Sequence, residues 1–224
     1  MQVELVSGKT SFVKSLDQQI EEAWKKSMFE TVAVRAAQQP DLLRGFPAGV
    51  RSDRARIKYG WMKLLRLVSE KNPAVVYPMI DQFFELLDHE NKILTWGAII
   101  IIGNLAAVDT GGKIDRRLND FLKPISGPVM ITAANVIAAS GKIAAAKPHL
   151  ADKIARSLLR VEKAKYQTAE CRDIAIGHAI KSLDRFICEV EKPKPVREFV
   201  RRQVKNRRKA VQREAARFLK RYAE

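Results

Sequence analysis

Apolar residues recur every three or four positions along nearly the whole chain, and this periodicity constrains the fold more than any other feature. No stretch shows the sustained alternation of apolar and polar residues that marks a half-buried strand. From residue 53 onward, segments long enough to be helices alternate with short breaks. Among the predicted helices are 73–89, 128–140, which is followed by Gly141, and 168–190. Short breaks favour helices that lie side by side and antiparallel. The sequence therefore predicts an all-α protein.

The helical pattern also repeats with a period of about 40 residues. In the predicted second helices, Arg116, Arg156 and Arg197 follow one another at steps of 40 and 41 residues. In the predicted first helices, Gly60 and Gly97 lie 37 residues apart. A period of this length is typical of arrays of two-helix hairpins. Because one hairpin cannot bury its own apolar face, neighbouring hairpins must stack to form the core.

Residues 54–222 resemble HEAT-repeat proteins of the armadillo type, with degenerate repeats. Asp109 lies where this family often has an aspartate between two helices, and Arg116 lies near its second-helix arginine. The other matching residues are prolines at predicted helix starts and small residues inside predicted first helices: Pro73, Pro128, Pro148, Gly60, Gly97, Gly103, Ala133 and Ala134. The resemblance implies an α/α superhelix of about four helical hairpins with an extra N-terminal helix. It implies little about function, since such arrays serve as scaffolds, transport receptors, assembly factors and, rarely, enzymes.

The N-terminal segment falls outside the repeat register. Ser15 can cap a helix there with Gln18 as its capping-box partner, and Pro40 ends that helix, so we expect one helix over residues 15–39. We expect residues 1–53 to form this helix and a connection, both packing on the array. Residues 54–224 are expected to form the HEAT-like array itself, with basic C-terminal helices.

The chain is strongly basic, and the excess charge is concentrated near its end. The 224 residues contain 41 Lys+Arg and 25 Asp+Glu, a formal net charge of +16. Thirteen of the basic residues and only three of the acidic ones lie in residues 192–224. Apolar residues keep helical spacing in this segment, so it predicts two amphipathic helices with a basic exterior. Such helices form either a solubilising terminal cap or a surface for a polyanion.

The predicted second helices change from acidic to basic along the chain. The first carries Asp81, Glu85 and Asp88, whereas later ones carry arginines at matching register. In HEAT arrays the second helix of each hairpin lines the concave face, so the resemblance implies a basic concave surface in the C-terminal half. The candidate binding residues are Arg116, Arg117, Arg156, Arg160, Arg197, Arg201, Arg202, Lys205, Arg208 and Lys209. We expect a protein with an acidic surface as partner, with nucleic acid or anionic lipid headgroups as alternatives and solvated helix faces as the simplest reading.

Catalytic signals are weak. His89, His149 and His178 are widely separated, and no zinc-binding spacing is present, so we expect no metal, cofactor or catalytic residues. The sequence therefore favours a non-enzymatic binding module or scaffold. The alternative is a nucleic-acid-binding protein, including the HEAT-like alkylpurine DNA glycosylases, which set aromatic side chains against a damaged nucleotide. Trp61 and Trp96 lie among apolar neighbours, which favours a place in the core.

Two further features bear on location. The first ten residues carry no basic region followed by an apolar stretch, and the longest apolar run, 98–102, is too short to span a bilayer of about 30 Å. Two cysteines indicate a reducing compartment rather than a disulfide scaffold. We therefore expect a cytoplasmic protein without a membrane span.

Overall fold

The computed structural model describes residues 14–222, and the predictions that concern residues 1–13 and 223–224 lie outside them. Within the described range the chain forms thirteen α-helices and eight short 3₁₀ helices, and it forms no strand. The α-helices are α1 Leu16–Lys26, α2 Phe29–Gln38, α3 Phe46–Arg51, α4 Ala55–Lys71, α5 Pro73–Val76, α6 Ile80–Glu85, α7 Lys92–Leu105, α8 Lys113–Leu122, α9 Met130–Ala146, α10 Ala151–Leu159, α11 Ala169–Leu183, α12 Lys194–Gln203 and α13 Lys209–Arg221.

The chain divides into two compact units, one ending at Leu64 and the other beginning at Leu65, within α4. The first unit holds α1, α2, α3 and the start of α4. Its core includes Trp61, which is 1% exposed and donates its indole N–H to Asp17 Oδ1 at 2.7 Å. Gly49 lies against the same indole, since a Cβ there would come within 2.0 Å of the ring nitrogen.

The single helix predicted over residues 15–39 is wrong, although its start is confirmed. Ser15 and Gln18 form the expected capping box. The helix then ends at Ser27, whose φ of 54° is left-handed, and a second helix begins at Phe29. A left-handed residue cannot continue a right-handed helix, so the chain changes direction there. Trp24, near the end of α1, is 39% exposed and donates its indole N–H to the backbone oxygen of Arg56 at 2.8 Å.

The second unit is built from stacked helical hairpins, as predicted. The first helices α7, α9, α11 and α13 pack on one another in chain order, and the second helices α8, α10 and α12 lie beside them. Small residues allow close packing, because a Cβ on Gly103 in α7 would come within 2.8 Å of the Cβ of Ala139 in α9. This arrangement confirms the all-α fold and the stacking of hairpins.

Several predicted boundaries inside this unit are wrong. The helix predicted over residues 73–89 is split into four short helical segments around Pro78, which lacks the N–H that a continuous helix needs. Helix α9 continues through Gly141, which was expected to end it. Gly141 serves close packing instead, since a Cβ there would lie 2.5 Å from Ser182 Oγ. Helix α11 ends at Leu183, well before the predicted Val190.

A buried polar network joins the hairpins around Asp109, the residue that the resemblance placed between two helices. Asp109 is 5% exposed and accepts hydrogen bonds from the backbone N–H groups of Lys113 and Ile114, at the start of α8, at 2.9 and 3.0 Å. It also accepts a hydrogen bond from the Tyr77 hydroxyl at 2.7 Å and forms an ion pair with Lys147 Nζ at 3.1 Å. Asp109 therefore caps α8 and ties it to the hairpins on either side.

Lys147 also reaches Asp115, which lies 2.5 Å from its Nζ and contacts His149 as well. Burial alone would raise the pKa of Asp115, but the hydrogen bonds from Lys147 and His149 outweigh it and lower that pKa to about 2. Burial would likewise raise the pKa of Asp109, yet its hydrogen bonds lower it. Both carboxylates are therefore charged at neutral pH, and Lys147 neutralises part of that charge inside the protein.

Candidate binding surface

The ten basic residues predicted to bind a partner lie on three second helices and around the turn before α13. Arg116 and Arg117 belong to α8, Arg156 to α10, Arg160 to the turn after α10, Arg197, Arg201 and Arg202 to α12, and Lys205, Arg208 and Lys209 to the α12–α13 connection and the first residue of α13. All are exposed except Arg197 and Arg208, which are half-buried. Each helix buries its apolar side, which turns the basic side chains outward.

The two arginines of α8 are engaged in local contacts. Arg116 donates from its guanidinium to the backbone oxygen of Gly111 at 2.9 Å. The guanidinium carbon of Arg117 lies 5.0 Å from the centre of the Phe84 ring, a cation–π distance. Arg116 therefore holds the turn that precedes α8, and Arg117 holds α8 against α6.

Two arginines farther along the chain are paired with carboxylates. Arg202 makes two hydrogen bonds to Glu162, from Nε at 3.1 Å and from Nη2 at 2.7 Å. The hydrogen bond that Arg202 donates to Glu162 raises the pKa of Arg202. Gln203 donates to the same carboxylate at 2.6 Å, and Arg208 is paired with Glu170. The Arg202–Glu162 contact ties α12 to the turn after α10.

Five of the ten predicted residues keep their charge available. Within residues 14–222 they make no hydrogen bond through their side chains, no ion pair and no ring contact; Arg197, by contrast, has contacts of its own. We call these five the free-cation surface: Arg156, Arg160, Arg201, Lys205 and Lys209. Arg160 lies two residues before Glu162, and Arg201 directly precedes Arg202, so the bidentate pair brings these two free cations to the same junction of α10 and α12.

A second anchor fixes the turn that carries Lys205 and Lys209. Asp173 in α11 is 6% exposed and accepts two hydrogen bonds from Arg207, at 2.8 and 3.1 Å. Asn206 also donates to this carboxylate, at 3.3 Å. Because the turn residues 206 and 207 are held in place, the cations before and after them project from a defined backbone.

Acidic side chains, opposite in charge to the free-cation surface, lie on the earlier second helix α6 and the turn after it. Asp81 and Glu85 in α6 are exposed, and so is Asp88 in the 3₁₀ turn after it. Lys113 reaches back to Asp81 at 2.5 Å. The second helices thus run from acidic at α6 to basic at α10 and α12, as the sequence predicted, and the partner-free cations are at the basic end.

Aromatic rings are not part of the free-cation surface. Phe199 and Phe218 are buried, and Tyr222 is half-buried with its hydroxyl donating to the backbone oxygen of Asp184 at 3.0 Å. Trp96 is half-buried and donates its indole N–H to Thr132 at 2.9 Å. Burial of Trp61 confirms its place in the core.

Neither metal ligands nor a membrane span is found in the described part of the chain. Residues 14–222 contain no group of three or more His, Cys, Asp or Glu side chains placed to hold a metal ion. None of the helices in that range is long and apolar enough to cross a membrane.

Sequence reasoning missed a basic cleft of about 310 Å³ between α11 and the first turns of α13. Its basic side chains are Lys181, Arg208 and Arg213, with His178 beside them. Only Arg208 was among the predicted residues. The signal was present, because 174, 177, 178 and 181 are spaced to share one face of a helix, and two of these positions carry His and Lys.

Known structures resemble this chain along most of its length. A crystal structure of an engineered protein matches with a TM-score of 0.52 and 12% identity, covering 93% of this chain and 96% of that one. A designed armadillo repeat protein matches with a TM-score of 0.55 and 14% identity, covering 92% and 97%. The chain has the armadillo/HEAT-type helical repeat fold. No protein-family model and no curated protein matches its sequence. At such low identity the armadillo-like structures establish the fold, and function must be argued from the surface.

Proposed function

We propose that this armadillo-like protein is a non-enzymatic binding module that recognises an acidic protein segment through its free-cation surface. The observation that carries the proposal is the set of five exposed cations on neighbouring helices and turns whose side chains make no hydrogen bond, ion pair or ring contact within residues 14–222. Exposed Arg and Lys side chains of one sign attract an oppositely charged partner and speed its association. The Arg202–Glu162 and Arg207–Asp173 contacts hold these side chains on rigid backbone, which lowers the entropy cost of binding.

The surface has a mixed charge pattern that favours a protein over nucleic acid. Glu162 and Glu170 lie among the cations, and Glu198 is exposed on α12. A continuous phosphate backbone would meet these carboxylates, whereas a protein segment can place its acids opposite the cations alone. The buried Phe199 and Phe218 offer no base-stacking platform here. The binding test below therefore has to distinguish nucleic acid from an acidic protein as the partner.

The test is fluorescence anisotropy with a fluorescein-labelled Glu-rich peptide, alongside labelled single- and double-stranded DNA. The variant replaces Arg156, Arg160 and Arg201 with Glu. Each reversal removes an attraction and adds a repulsion, so we expect peptide affinity to fall at least about thirtyfold at near-physiological salt.

A matched control reverses three other exposed arginines, Arg56, Arg66 and Arg185, which changes the net charge by the same amount. None of them lies on a second helix, and we expect the control to bind the peptide within about threefold of wild type. Equal losses in both variants would mean that net charge alone drives binding. Tight DNA binding with no peptide binding at the same salt would replace the acidic protein by nucleic acid as the partner.

We also infer that the module works in the cytoplasm. Cys171 and Cys188 are free thiols, and Cys188 is exposed. Exposed free thiols are typical of proteins in a reducing compartment, where they stay reduced.

A further inference from the structure

We propose that the cleft between α11 and α13 binds the phosphate group of a phosphomonoester. The cleft lies between the first helices α11 and α13, with Arg208 from the turn before α13, and none of the free-cation residues lines it. The proposal does not depend on the proposed function.

The walls of the cleft come from two helices that approach closely. Gly177 of α11 faces Val211 of α13, and a Cβ on Gly177 would lie 3.2 Å from a Val211 methyl group. Ile174 and Ala210 complete the apolar part of the lining. The volume of about 310 Å³ exceeds that of a phosphate group, which leaves room for the small organic part of an ester.

The polar lining has an excess of positive charge. Lys181, Arg208 and Arg213 face a single carboxylate, Glu214. The Lys181–Glu214 contact is long, at 3.8 Å. Arg213 makes no side-chain hydrogen bond, ion pair or ring contact within residues 14–222, so its guanidinium is available for a bidentate interaction.

The charges outside the cleft do not remove this excess. Glu170 pairs with Arg208 and Arg217 pairs with Glu214, and these two outer charges cancel each other. The remaining excess of two positive charges matches a phosphomonoester, which carries between about −1.5 and −2 at pH 7. Arginine forks suit the geometry of phosphate oxygens.

His178 adds a neutral donor to the lining. In the ligand-free protein, desolvation and the nearby Lys181 lower the pKa of His178, which favours the uncharged ring. An uncharged imidazole keeps one N–H that can donate to a phosphate oxygen. No hydrogen bond to the His178 ring is present within residues 14–222, which leaves both ring nitrogens open to a ligand.

The experiment is isothermal titration calorimetry at fixed ionic strength, with inorganic phosphate, O-phosphoserine and glutamate as probes. We expect saturable binding of phosphate and O-phosphoserine, at least about tenfold tighter than glutamate, because the side-chain carboxylate of glutamate carries about half the charge of a phosphate group. A phosphoserine peptide is a further arm. Tighter binding of the peptide than of O-phosphoserine would identify a protein-borne phosphate, and the reverse would identify a free small molecule.

Arg213→Gln should weaken phosphate binding about tenfold, since it removes one charge-assisted contact. Arg66→Gln is the matched control, because it removes an exposed arginine that belongs neither to the cleft lining nor to the free-cation surface. We expect the control to bind phosphate like wild type. Absence of saturable phosphate binding, equal losses in both variants, or glutamate binding as tight as phosphate would each overturn the proposal.

A spectroscopic readout locates the bound anion. The chain has three histidines, and the His178 imidazole signals are assigned by their loss in His178→Gln. In a long-range ¹H–¹⁵N spectrum, saturating phosphate should shift the ring nitrogens of His178 and leave those of His89 and His149 in place. Shifts of all three, or of none, would contradict binding in this cleft.

Discussion

Two regions of the second unit use basic side chains in opposite ways. Where the α7–α8 hairpin meets the α9–α10 hairpin, Lys147 is buried beside two carboxylates, Asp109 and Asp115. On α10 and α12, cations such as Arg156 and Arg201 stand in solvent without partners within residues 14–222. The net charge of +16 therefore includes basic residues with two different roles. A basic side chain with a buried partner stabilises the fold, and one without a partner is available to bind another molecule.

The largest effect is expected when the buried cation is removed. Lys147→Met keeps most of the side-chain volume but leaves Asp109 without its ion-pair partner and Asp115 with His149 alone. Breaking a buried pair in this way should lower the free energy of unfolding by roughly 3 kcal/mol. Urea denaturation followed by circular dichroism measures the loss.

Arg156→Ala is the control for that prediction on the free-cation surface. Its side chain is exposed and has no partner in the described residues, so its removal should change stability by less than about 0.5 kcal/mol. If both variants lost the same stability, the contrast between the two regions would be false.

A somewhat smaller effect should appear with pH. The depressed pKa of Asp115, about 2, and the lowered pKa of Asp109 mean that these carboxylates stabilise the folded state above their unfolded pKa values near 3.8. That stability is lost as pH falls from about 4 to about 2, by roughly 2 kcal/mol.

In Lys147→Met the cation that favours the charged carboxylates is absent. The difference in unfolding free energy between wild type and this variant should therefore shrink as the pH is lowered through the same range. Denaturation at a series of pH values tests this, and a difference that stays constant would show that the carboxylates do not titrate with Lys147.

The smallest effect is expected for the exposed pair that joins α10 to α12. Arg202 and Glu162 form two hydrogen bonds, but the Arg202 side chain is 56% exposed, so water screens the interaction. A double-mutant cycle with Arg202→Ala and Glu162→Gln should give a coupling energy below about 1 kcal/mol. A coupling as large as the loss in Lys147→Met would place this pair with the buried network.

Much of the fold follows from periodicity in the sequence. The spacing of apolar residues and the period of about 40 residues predict helices and stacked hairpins, because both properties are local or regular. The break at Ser27 has no such signal, since neither glycine nor proline marks it. Gly141 shows a second limit. A glycine that ends a helix and a glycine that admits a neighbouring helix look alike in sequence, and only packing against Ser182 separates them.

The candidate site was predictable in part. The repeat register correctly placed basic residues on α10 and α12, yet it did not show which of them are already paired. The pairing could have been inferred from the repeat spacing. Glu162 and Arg202 are 40 residues apart, and Asp109 and Lys147 are 38 apart, so each pair is separated by about one repeat. Stacked helices bring such positions together. The cleft residues Lys181 and Arg213 were missed because they do not belong to the second helices.

The most direct test of the central claim is to map a bound acidic peptide on the protein. Backbone ¹H–¹⁵N chemical shifts would be followed while an unlabelled Glu-rich peptide is added at near-physiological salt. If the free-cation surface binds the peptide, the largest shifts should occur in α10, in α12 and around Lys205 and Lys209, with little change in α6. Shifts centred on α6 or on the first unit, or small shifts spread evenly over all basic residues, would contradict it.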